Sequence, residues 1–327
     1  MSARASKPER VLITGAAGFS GRQLAQRLSS GDTTLFGLGR SRPTTPLRHL
    51  AEFHVCDLSD RAAVERTIVE VQPDAVYHLA GITGQDASWE QLRAANVDSL
   101  RNLIDSLRTH ATGRGQTIRL LTVGSAAELG STGAARLPVS EDTACEPESD
   151  YGRSKHAATE LALAEPADGP LKIIVARAFN LIGPGLGVGL SLGRFAAQIA
   201  AVLHGNAQHI ECGNLTTRRD YLDVRDAVAL YVRLLRFGTP GQLYNVCRGR
   251  SHSVRELLQT MIERTGRKIS IVENCARPRV GDVADIFGDM TKTIDCCGPF
   301  VATPIERSLA DLVDAALLPN APQSRAA

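Results

Sequence analysis

The chain has 327 residues, of which 43% are hydrophobic and 22% are charged, as in an ordinary soluble globular protein. Lysine and arginine (37) nearly balance aspartate and glutamate (35), so a net charge of +2 gives no field that would favour nucleic acid or an anionic membrane. At about 100–200 residues per domain, the length predicts two modest domains or one large one.

The cysteines and the amino terminus both predict a cytoplasmic protein without a membrane anchor. The segment before Val11 is rich in charged residues and contains Pro8. The apolar run that follows is interrupted by Thr14, Gly15 and Arg22. Both features argue against a signal peptide or a membrane helix. Seven cysteines, an odd number without a C-x-x-C pair, are typical of reduced thiols, and we assign none of them a function. They are Cys56, Cys145, Cys212, Cys247, Cys275, Cys296 and Cys297.

The first half of the chain alternates short apolar runs with amphipathic stretches, which is typical of β-α-β units around a parallel sheet. Five runs are predicted as buried strands: Val11–Thr14, Thr34–Leu38, Ala75–Leu79, Arg119–Val123 and Lys172–Arg177. Four stretches between them are predicted as helices: Gly18–Leu28, Arg61–Val71, Trp89–Leu107 and Tyr151–Glu165. Beyond Arg177 the alternation loosens, and the glycine-rich segment 183–193 predicts that the chain leaves the sheet for a second region.

A glycine-rich turn follows the first predicted strand and opens the first predicted helix. Glycine at 15 permits a tight turn, glycine at 18 lets the backbone approach a pyrophosphate, and glycine at 21 lets helix and strand pack closely. The alternative is a simple strand-to-helix turn, but this context favours a dinucleotide whose phosphates face the helix amino terminus. The predicted cofactor contacts are Gly15, Gly18, Phe19, Ser20 and Gly21.

The end of the second strand predicts which dinucleotide binds. An NAD site usually carries an acidic residue there, whereas this chain has Arg40, Ser41 and Arg42. Guanidinium groups pair with a 2′-phosphate, so Arg40 and Ser41 are predicted to contact NADP(H). The alternative is a solvated basic loop.

Two further segments are expected beside the cofactor. Asp57 and Leu58 follow a short apolar run and would lie at the adenine edge. Leu79 and Ala80 end another strand, where small residues let the cofactor pass. His78 beside them is more often a core histidine, so it is left out of the catalytic set.

The catalytic signal is the pair Tyr151 and Lys155, predicted on the first turn of a helix that starts at Ser149 or Asp150. Residues four apart share one helical face, and a nearby ammonium would lower the pKa of the tyrosine toward that of a working proton donor. Ser125 follows a strand at its carboxyl end, where ligands of doubly wound sheets bind. The alternative reading of the pair is an ordinary surface helix.

The glycine turn, Asn96, Ser125, Tyr151 and Lys155 together resemble the extended short-chain dehydrogenases/reductases, over nearly the whole chain. Within that nucleotide-sugar epimerase/dehydratase family, the later segments are similar to those of GDP-4-keto-6-deoxymannose reductases. These segments are Ser88–Trp89, Phe179–Gly185, Arg219–Asp226 and Gly241–Val246. The resemblance implies an α/β fold, a doubly wound parallel (Rossmann) sheet with a smaller carboxyl-terminal α/β substrate domain.

The resemblance also implies roles for single residues. Ser125, Tyr151 and Lys155 would be catalytic, with Asn96 supporting the site beside the cofactor. Contacts to a nucleotide-diphospho-sugar would come from Ser125, Asn180, Arg219 and Arg279. Taken singly, Asn180 could instead cap a turn and Arg219 could form a surface ion pair with Asp220. We expect a homodimer through the helices that contain Asn96 and Tyr151, and no metal.

The predicted domain division follows the same resemblance. An NADP-binding part would comprise residues 1–178 and 216–249, and a substrate part residues 179–215 and 250–318. The small, polar residues 319–327 are expected to form a disordered tail.

Three classes of function fit these residues: a reductase of a nucleotide-linked 4-keto-6-deoxyhexose, a nucleotide-sugar 4-epimerase, and a non-catalytic protein on the same fold. The complete Ser125, Tyr151 and Lys155 set argues against the last. After Ser125 come two alanines and then Glu128, where many relatives have a carboxylate nearer the serine, which argues against a 4,6-dehydratase. Gly298-Pro299 also departs from the family pattern, so the last segment of the substrate part is expected to be remodelled. We predict the reductase, with the epimerase as the alternative.

Overall fold

The computed structural model describes residues 8–83, 87–131, 136–274 and 283–318. Up to residue 163 it forms β1 (Glu9–Thr14), α1 (Phe19–Leu28), β2 (Thr33–Gly39), β3 (Glu52–Val55), α2 (Arg61–Val71), β4 (Ala75–His78), α3 (Trp89–Arg93), α4 (Ser99–Arg114), β5 (Ile118–Ser125) and α5 (Asp150–Leu163). Then follow β6 (Leu171–Ala178), β7 (Asn180–Ile182), α6 (Ser191–Leu203), β8 (His209–Cys212), β9 (Arg218–Asp223), α7 (Val224–Phe237), β10 (Gln242–Val246), β11 (Ser251–Ser253), α8 (Val254–Glu263), β12 (Ser270–Glu273), β13 (Asp285–Ile286), α9 (Thr291–Cys297) and α10 (Ile305–Leu317).

A seven-stranded parallel sheet forms the centre, in the order β10-β6-β5-β4-β1-β2-β3. The strand order reverses between β1 and β4, which confirms the predicted doubly wound sheet. Thr14 pairs with His78, and His78 pairs with Thr122 on β5. The carboxyl ends of the central strands therefore meet at one edge, where the predicted site residues follow them.

The five predicted strands and four predicted helices are confirmed, with one change. The helix expected over Trp89–Leu107 is interrupted between α3 and α4 by a π-helical turn, Ala94–Asp98. A π turn inserts one extra residue into a helix and is frequent at functional sites. Here it contains Asn96, whose side chain leaves the helix to bond the backbone of Ile82.

Each face of the sheet is covered by a buried hydrophobic cluster, as expected for parallel strands. One cluster includes α1 and α7, and the other includes α2, α4 and α5. A third cluster lies among α6, α8 and α10 and belongs to the second region of the chain. No helix in the described ranges is long and apolar enough to cross a membrane.

The second region is built on two small sheets. β9 pairs with β7, β11 and β13, while β8 pairs with β12. β9 falls within the segment 216–249 that we assigned to the cofactor-binding part, yet its partner strands come from segments assigned to the substrate part. The domain boundaries therefore stay a prediction. Arg279, Cys275 and the tail 319–327 lie outside the described residues.

Asp220 on β9 ties three segments together. Its fully buried carboxylate accepts hydrogen bonds from the backbone N–H groups of Arg248 (2.7 Å), Gly249 (2.9 Å) and Gly288 (3.4 Å). Burial raises the pKa of Asp220 from 3.8 to about 6, against the effect of these donors. The turn after β10 and the segment after β13 are thereby fixed to β9.

The raised pKa of Asp220 predicts a pH-dependent contribution to stability. Between about pH 4 and pH 6 the folded state holds a proton that the unfolded state has released, so this contribution falls as pH rises. The free energy of unfolding of the wild type minus that of Asp220→Asn should fall by up to about 3 kcal/mol across this window. Urea denaturation at several pH values measures the difference.

A matched control is Asp289→Asn, because hydrogen bonds from Thr291 lower the pKa of Asp289. Its difference from the wild type should not fall over the same window. A flat or rising difference for Asp220→Asn would contradict the assignment of a raised pKa.

Candidate active site

The glycine turn after β1 leaves no room for side chains. Gly15 has a φ of +69°, and a Cβ there would lie 2.8 Å from the backbone nitrogen of Ala80. At Gly21 a Cβ would lie 2.2 Å from the carbonyl oxygen of Gly15. Gly18 precedes α1 without a side-chain cap, so the first N–H groups of α1 are free to bind an anion at this edge. The turn fits a dinucleotide, and half-buried Phe19 and Ser20 stand in the first turn of α1.

Thr14 and His78 hold the turn against the end of β4. Thr14 Oγ1 accepts a hydrogen bond from Ala80 N (3.3 Å) and lies 2.9 Å from His78 Nδ1. Burial, with a smaller effect of Lys155, lowers the pKa of His78 to about 3. His78 is therefore neutral, and its visible role is to support the backbone where Leu79 and Ala80 pass the glycine turn.

The ends of β2 and β3 lie at the same edge as the glycine turn. Gly15 N donates to Leu38 O (2.9 Å), and Cys56 N donates to Gly39 O (3.0 Å). Arg40, Ser41 and Arg42 follow β2 and are exposed.

Asp57, beyond β3, is exposed, whereas Leu58 is buried. Hydrogen bonds from the backbone and hydroxyl of Ser59 lower the pKa of Asp57, and the charge of Arg40 adds to the effect. The structure thus brings Asp57 close to Arg40, as expected of two groups at one cofactor edge.

The predicted catalytic residues meet at the carboxyl end of β5. Ser149 accepts a hydrogen bond from Gly152 N (3.0 Å) and so caps α5, which presents Tyr151 and Lys155. Tyr151 is hydrogen-bonded to Ser125. Lys155 Nζ donates to Val123 O at 2.5 Å. α5 lies close against the turn that follows β5, where a Cβ at Gly152 would lie 2.3 Å from Ala127 O.

The pKa values of the pair differ from the sequence prediction. Burial raises the pKa of Tyr151, the hydrogen bond with Ser125 opposes this rise, and the carboxylate of Glu128 adds to it. Burial lowers the pKa of Lys155, and Glu128 opposes that change. The predicted lowering of the Tyr151 pKa by Lys155 is wrong for this arrangement, in which the ammonium is directed to a carbonyl and burial dominates.

Asn96 connects the π turn to the catalytic helix. Its Nδ2 donates to Ile82 O (3.1 Å) and Ser154 Oγ (3.0 Å), and its Oδ1 accepts from Ile82 N (2.9 Å). Ser154 lies between Tyr151 and Lys155 on α5. Asn96 is 3% exposed. It therefore supports the site by joining the loop after β4 to α5, and its side chain does not face the solvent.

Sequence reasoning missed a buried ion pair next to the catalytic residues. Glu128 is 0% exposed and Arg177 is 3% exposed, and Arg177 Nε lies 3.5 Å from Glu128 Oε2. The available signal was an arginine near the end of the apolar run of β6, because a charge at a buried strand position requires a partner; Lys172, the other basic residue of β6, is partly exposed at its start. Glu128 was noted only for its distance from Ser125 along the chain.

On the substrate side, the structure brings Asn180 and Arg219 to adjoining strands. Asn180 Nδ2 donates to Asp220 O (3.1 Å), and β7 pairs with β9 in parallel register. Arg219 Nη1 donates to Arg218 O (2.8 Å), while His252 pairs with Arg219 across β11 and β9. Asp220 is fixed by backbone donors, so it does not serve as the surface ion-pair partner that we considered for Arg219.

Two groups of side chains bring three potential metal ligands within 4.8 Å of one another: Glu128, Cys145 and His156, and Glu52, His54 and Glu70. In the first group, Arg177 contacts both Glu128 and Cys145, and its positive charge opposes a cation. In the second, Glu52 and Glu70 are exposed carboxylates beside His54, and exposed acidic groups of this kind are common without an ion. The absence of a metal stays a prediction.

Comparisons with known proteins agree with this geometry. The NAD dependent epimerase/dehydratase family model matches residues 11–247. The chain is 31% identical to GDP-6-deoxy-D-mannose reductase of Pseudomonas aeruginosa, over 92% of this chain and 95% of that protein. It is 28% identical to UDP-arabinose 4-epimerase 1 of Arabidopsis thaliana, over 86% of this chain and 73% of that protein. A solved structure, RMD from Pseudomonas aeruginosa complexed with NADPH, superposes with a TM-score of 0.80 at 29% identity, covering 94% of this chain and 99% of that one.

The hydrogen bonds of Asn96 give a prediction about the site's support. Asn96→Ala removes both bonds to the partly buried backbone of Ile82 and the buried bond to Ser154, so the free energy of unfolding should fall by about 2 kcal/mol. The amide of Ile82 should exchange faster with solvent, which hydrogen exchange measured by mass spectrometry detects at the peptide level. Unchanged exchange in the loop after β4 would contradict this role.

Proposed function

Since the chain belongs to the NAD dependent epimerase/dehydratase family of extended short-chain dehydrogenases/reductases, we propose that it reduces the 4-keto group of a nucleotide-diphospho-4-keto-6-deoxyhexose with NADPH. The observation that carries the proposal is the catalytic group at the end of β5. Ser125, Tyr151 and Lys155 are together, while the nearest carboxylate along the chain, Glu128, is buried and paired with Arg177. The similarity to GDP-6-deoxy-D-mannose reductase supports the choice of reaction.

The proposed roles follow from the contacts. When bound, NADPH supplies the hydride for carbon 4 of the sugar. Tyr151 donates a proton to the oxygen of the forming alkoxide, because it is the group with a transferable proton beside Ser125. Ser125 donates a hydrogen bond to the same oxygen, so the developing charge meets a fixed donor. Lys155 adds positive charge to the site and binds the nicotinamide ribose of the cofactor.

The proposed substrate contacts lie on β7 and β9. Asn180 would bind the sugar, and Arg219 the diphosphate, where guanidinium groups form charge-assisted hydrogen bonds. Arg279 is proposed as a second diphosphate contact from the sequence alone.

Elimination of water by a dehydratase needs an acid and a base beside the serine. Glu128 cannot reach a substrate, because it has no exposed surface and its Oε1 is bonded to Ser125 N and Thr159 Oγ1. A 4-epimerase is the second candidate, since it needs the same three catalytic residues. The similarity to UDP-arabinose 4-epimerase 1 supports it.

The setting of the reaction is proposed from the sequence. Reduced cysteines support a cytoplasmic enzyme. The family resemblance supports a homodimer through α4 and α5. Asn96 lies in the π turn directly before α4, and Tyr151 lies in α5.

Incubation with GDP-4-keto-6-deoxymannose and NADPH tests the reaction. One NADPH should be consumed for each sugar reduced, followed by cofactor absorbance and by chromatography of the sugar. The dTDP and UDP ketones serve as comparison substrates. If all three ketones left NADPH unused and an intact UDP-hexose was epimerised without added cofactor, the epimerase would be correct instead.

Arg40 generates a prediction about the cofactor. NADPH should bind more tightly than NADH, because Arg40 and Arg42 stand exposed where an NAD site has a carboxylate. Arg40→Ala should weaken NADPH roughly tenfold or more and change NADH little, as measured by calorimetric titration. Arg48→Ala, which removes an exposed arginine eight positions later, is the matched control and should change neither affinity. Equal affinities for the two cofactors in the wild type would contradict the NADP assignment.

A further inference from the structure

Glu128 lies directly behind the catalytic residues. Its Oε1 accepts hydrogen bonds from Ser125 N (2.6 Å) and Thr159 Oγ1 (3.0 Å). Gly124 makes this approach possible, since a Cβ there would lie 2.6 Å from Oε1. The carboxylate thus bonds the backbone of Ser125, whose hydroxyl is bonded to Tyr151.

Arg177 accompanies Glu128 in the interior. It enters from β6, is 3% exposed, and places Nε 3.5 Å from Glu128 Oε2 and Nη2 3.3 Å from Cys145 Sγ. Nε and Nη1 have no hydrogen-bond partner among the described residues. A guanidinium keeps its proton in proteins, and burying it without a counter-charge is costly. Glu128 is the ion-pair partner of Arg177 in the described ranges. Burial raises the pKa of Glu128, while the charge of Arg177 and the hydrogen bonds from Ser125 N and Thr159 Oγ1 oppose this rise. Because the buried guanidinium requires a counter-charge, we take the carboxylate as ionised.

The groups that face this pair come from several elements. Glu128 adds to the rise in the pKa of Tyr151 and opposes the fall in that of Lys155, both of which are caused mainly by burial. The titratable and charged groups around Glu128 and Tyr151 are Arg177 from β6, Lys155, His156 and Tyr151 from α5, Cys145 from the segment before α5, and Tyr231 from α7.

We propose that Glu128 is a positioning residue for the reaction: anchored by Arg177, it fixes Ser125 and adds to the effect of burial in favouring the protonated, proton-donating form of Tyr151. This inference rests on the proposed function, in which Tyr151 is the acid. A reductase needs a protonated tyrosine at the start of each turnover, whereas an enzyme that first oxidises a hydroxyl needs a phenolate. A buried negative charge that bonds the backbone of Ser125, whose hydroxyl is bonded to the phenol, favours the first state. Glu128 thus favours the ketone-reducing direction.

The test removes the charge and keeps the shape. Glu128→Gln retains an oxygen that can accept from Ser125 N, but it leaves the charge of Arg177 unbalanced beside the site. Titration of Tyr151 is isolated by subtracting the tyrosinate absorbance of a Tyr151→Phe variant made in each background. In the wild type, Tyr151 should titrate above its ordinary pKa of 10. In Glu128→Gln it should titrate about 1–3 units lower.

The alkaline limb of kcat/KM for ketone reduction should move to lower pH by the same amount. Glu160→Gln is the matched control, because Glu160 is an exposed carboxylate on α5 beside His156. It should leave both measurements close to the wild type. A Tyr151 titration in Glu128→Gln that coincides with the wild type, or an equal shift in Glu160→Gln, would overturn the proposal.

Two further arms keep the outcomes apart. If no ketone is reduced, the proposed function fails, yet the absorbance titration still decides the role of Glu128. If Glu128→Gln does not fold, the double variant Glu128→Gln/Arg177→Gln removes both charges, which buried pairs tolerate better than the loss of one partner. It should lower the pKa of Tyr151 as well, but by less than Glu128→Gln alone, because the positive charge of Arg177 is removed together with the negative charge of Glu128. An unchanged titration in a folded double variant would also overturn the proposal.

Discussion

The close contact between the glycine turn and the end of β4 is the constraint on which the site depends. The backbones of two chain segments meet there, since a Cβ at Gly15 would lie 2.8 Å from Ala80 N. Thr14 Oγ1 accepts a hydrogen bond from Ala80 N and is hydrogen-bonded to His78 Nδ1, which holds the two segments together. The contact sits where the strand order reverses, between β1 and β4. Because all strands of the sheet are parallel, their carboxyl ends lie at the same edge as this contact. Arg40, Asp57 and Ser125, which follow or end β2, β3 and β5, therefore lie at that edge. The cofactor edge and the catalytic edge are one edge for this reason.

Much of this arrangement was predictable from the sequence, because it depends on local patterns. Alternating apolar runs predicted the strands, and the tyrosine–lysine spacing predicted one helical face at the end of β5. The π turn was not predictable, since it arises from a contact between Asn96 and Ile82, fourteen positions apart. The pair of Glu128 and Arg177 was missed for the same reason: its members lie on different elements and meet only when β5 and β6 are adjacent. Burial also decides the pKa of Tyr151, and burial cannot be derived from a spacing of four residues.

The substrate side depends on fewer and longer-range contacts. β9 receives strands from three separate segments, and the carboxylate of Asp220 bonds the backbone of two of them. Within the segment 216–249, β9 completes the small sheet, while α7 packs against the large sheet and β10 joins it. The boundary at residue 216 stays a prediction. The parallel register of β7 and β9 pairs Asn180 with Tyr221, two residues along β9 from Arg219, and no motif encodes this register.

The exposed end of β2 has a consequence for how such an enzyme changes over time. The backbone there is fixed by hydrogen bonds from Gly15 to Leu38 and from Cys56 to Gly39, while the side chains of Arg40, Ser41 and Arg42 pack against nothing in the core. Substitutions at these three positions are therefore tolerated by the fold. Under the proposed function, selection can alter which nicotinamide cofactor is used, one residue at a time, without disturbing Ser125 or Tyr151. The choice of cofactor and the catalytic residues can in this sense evolve independently.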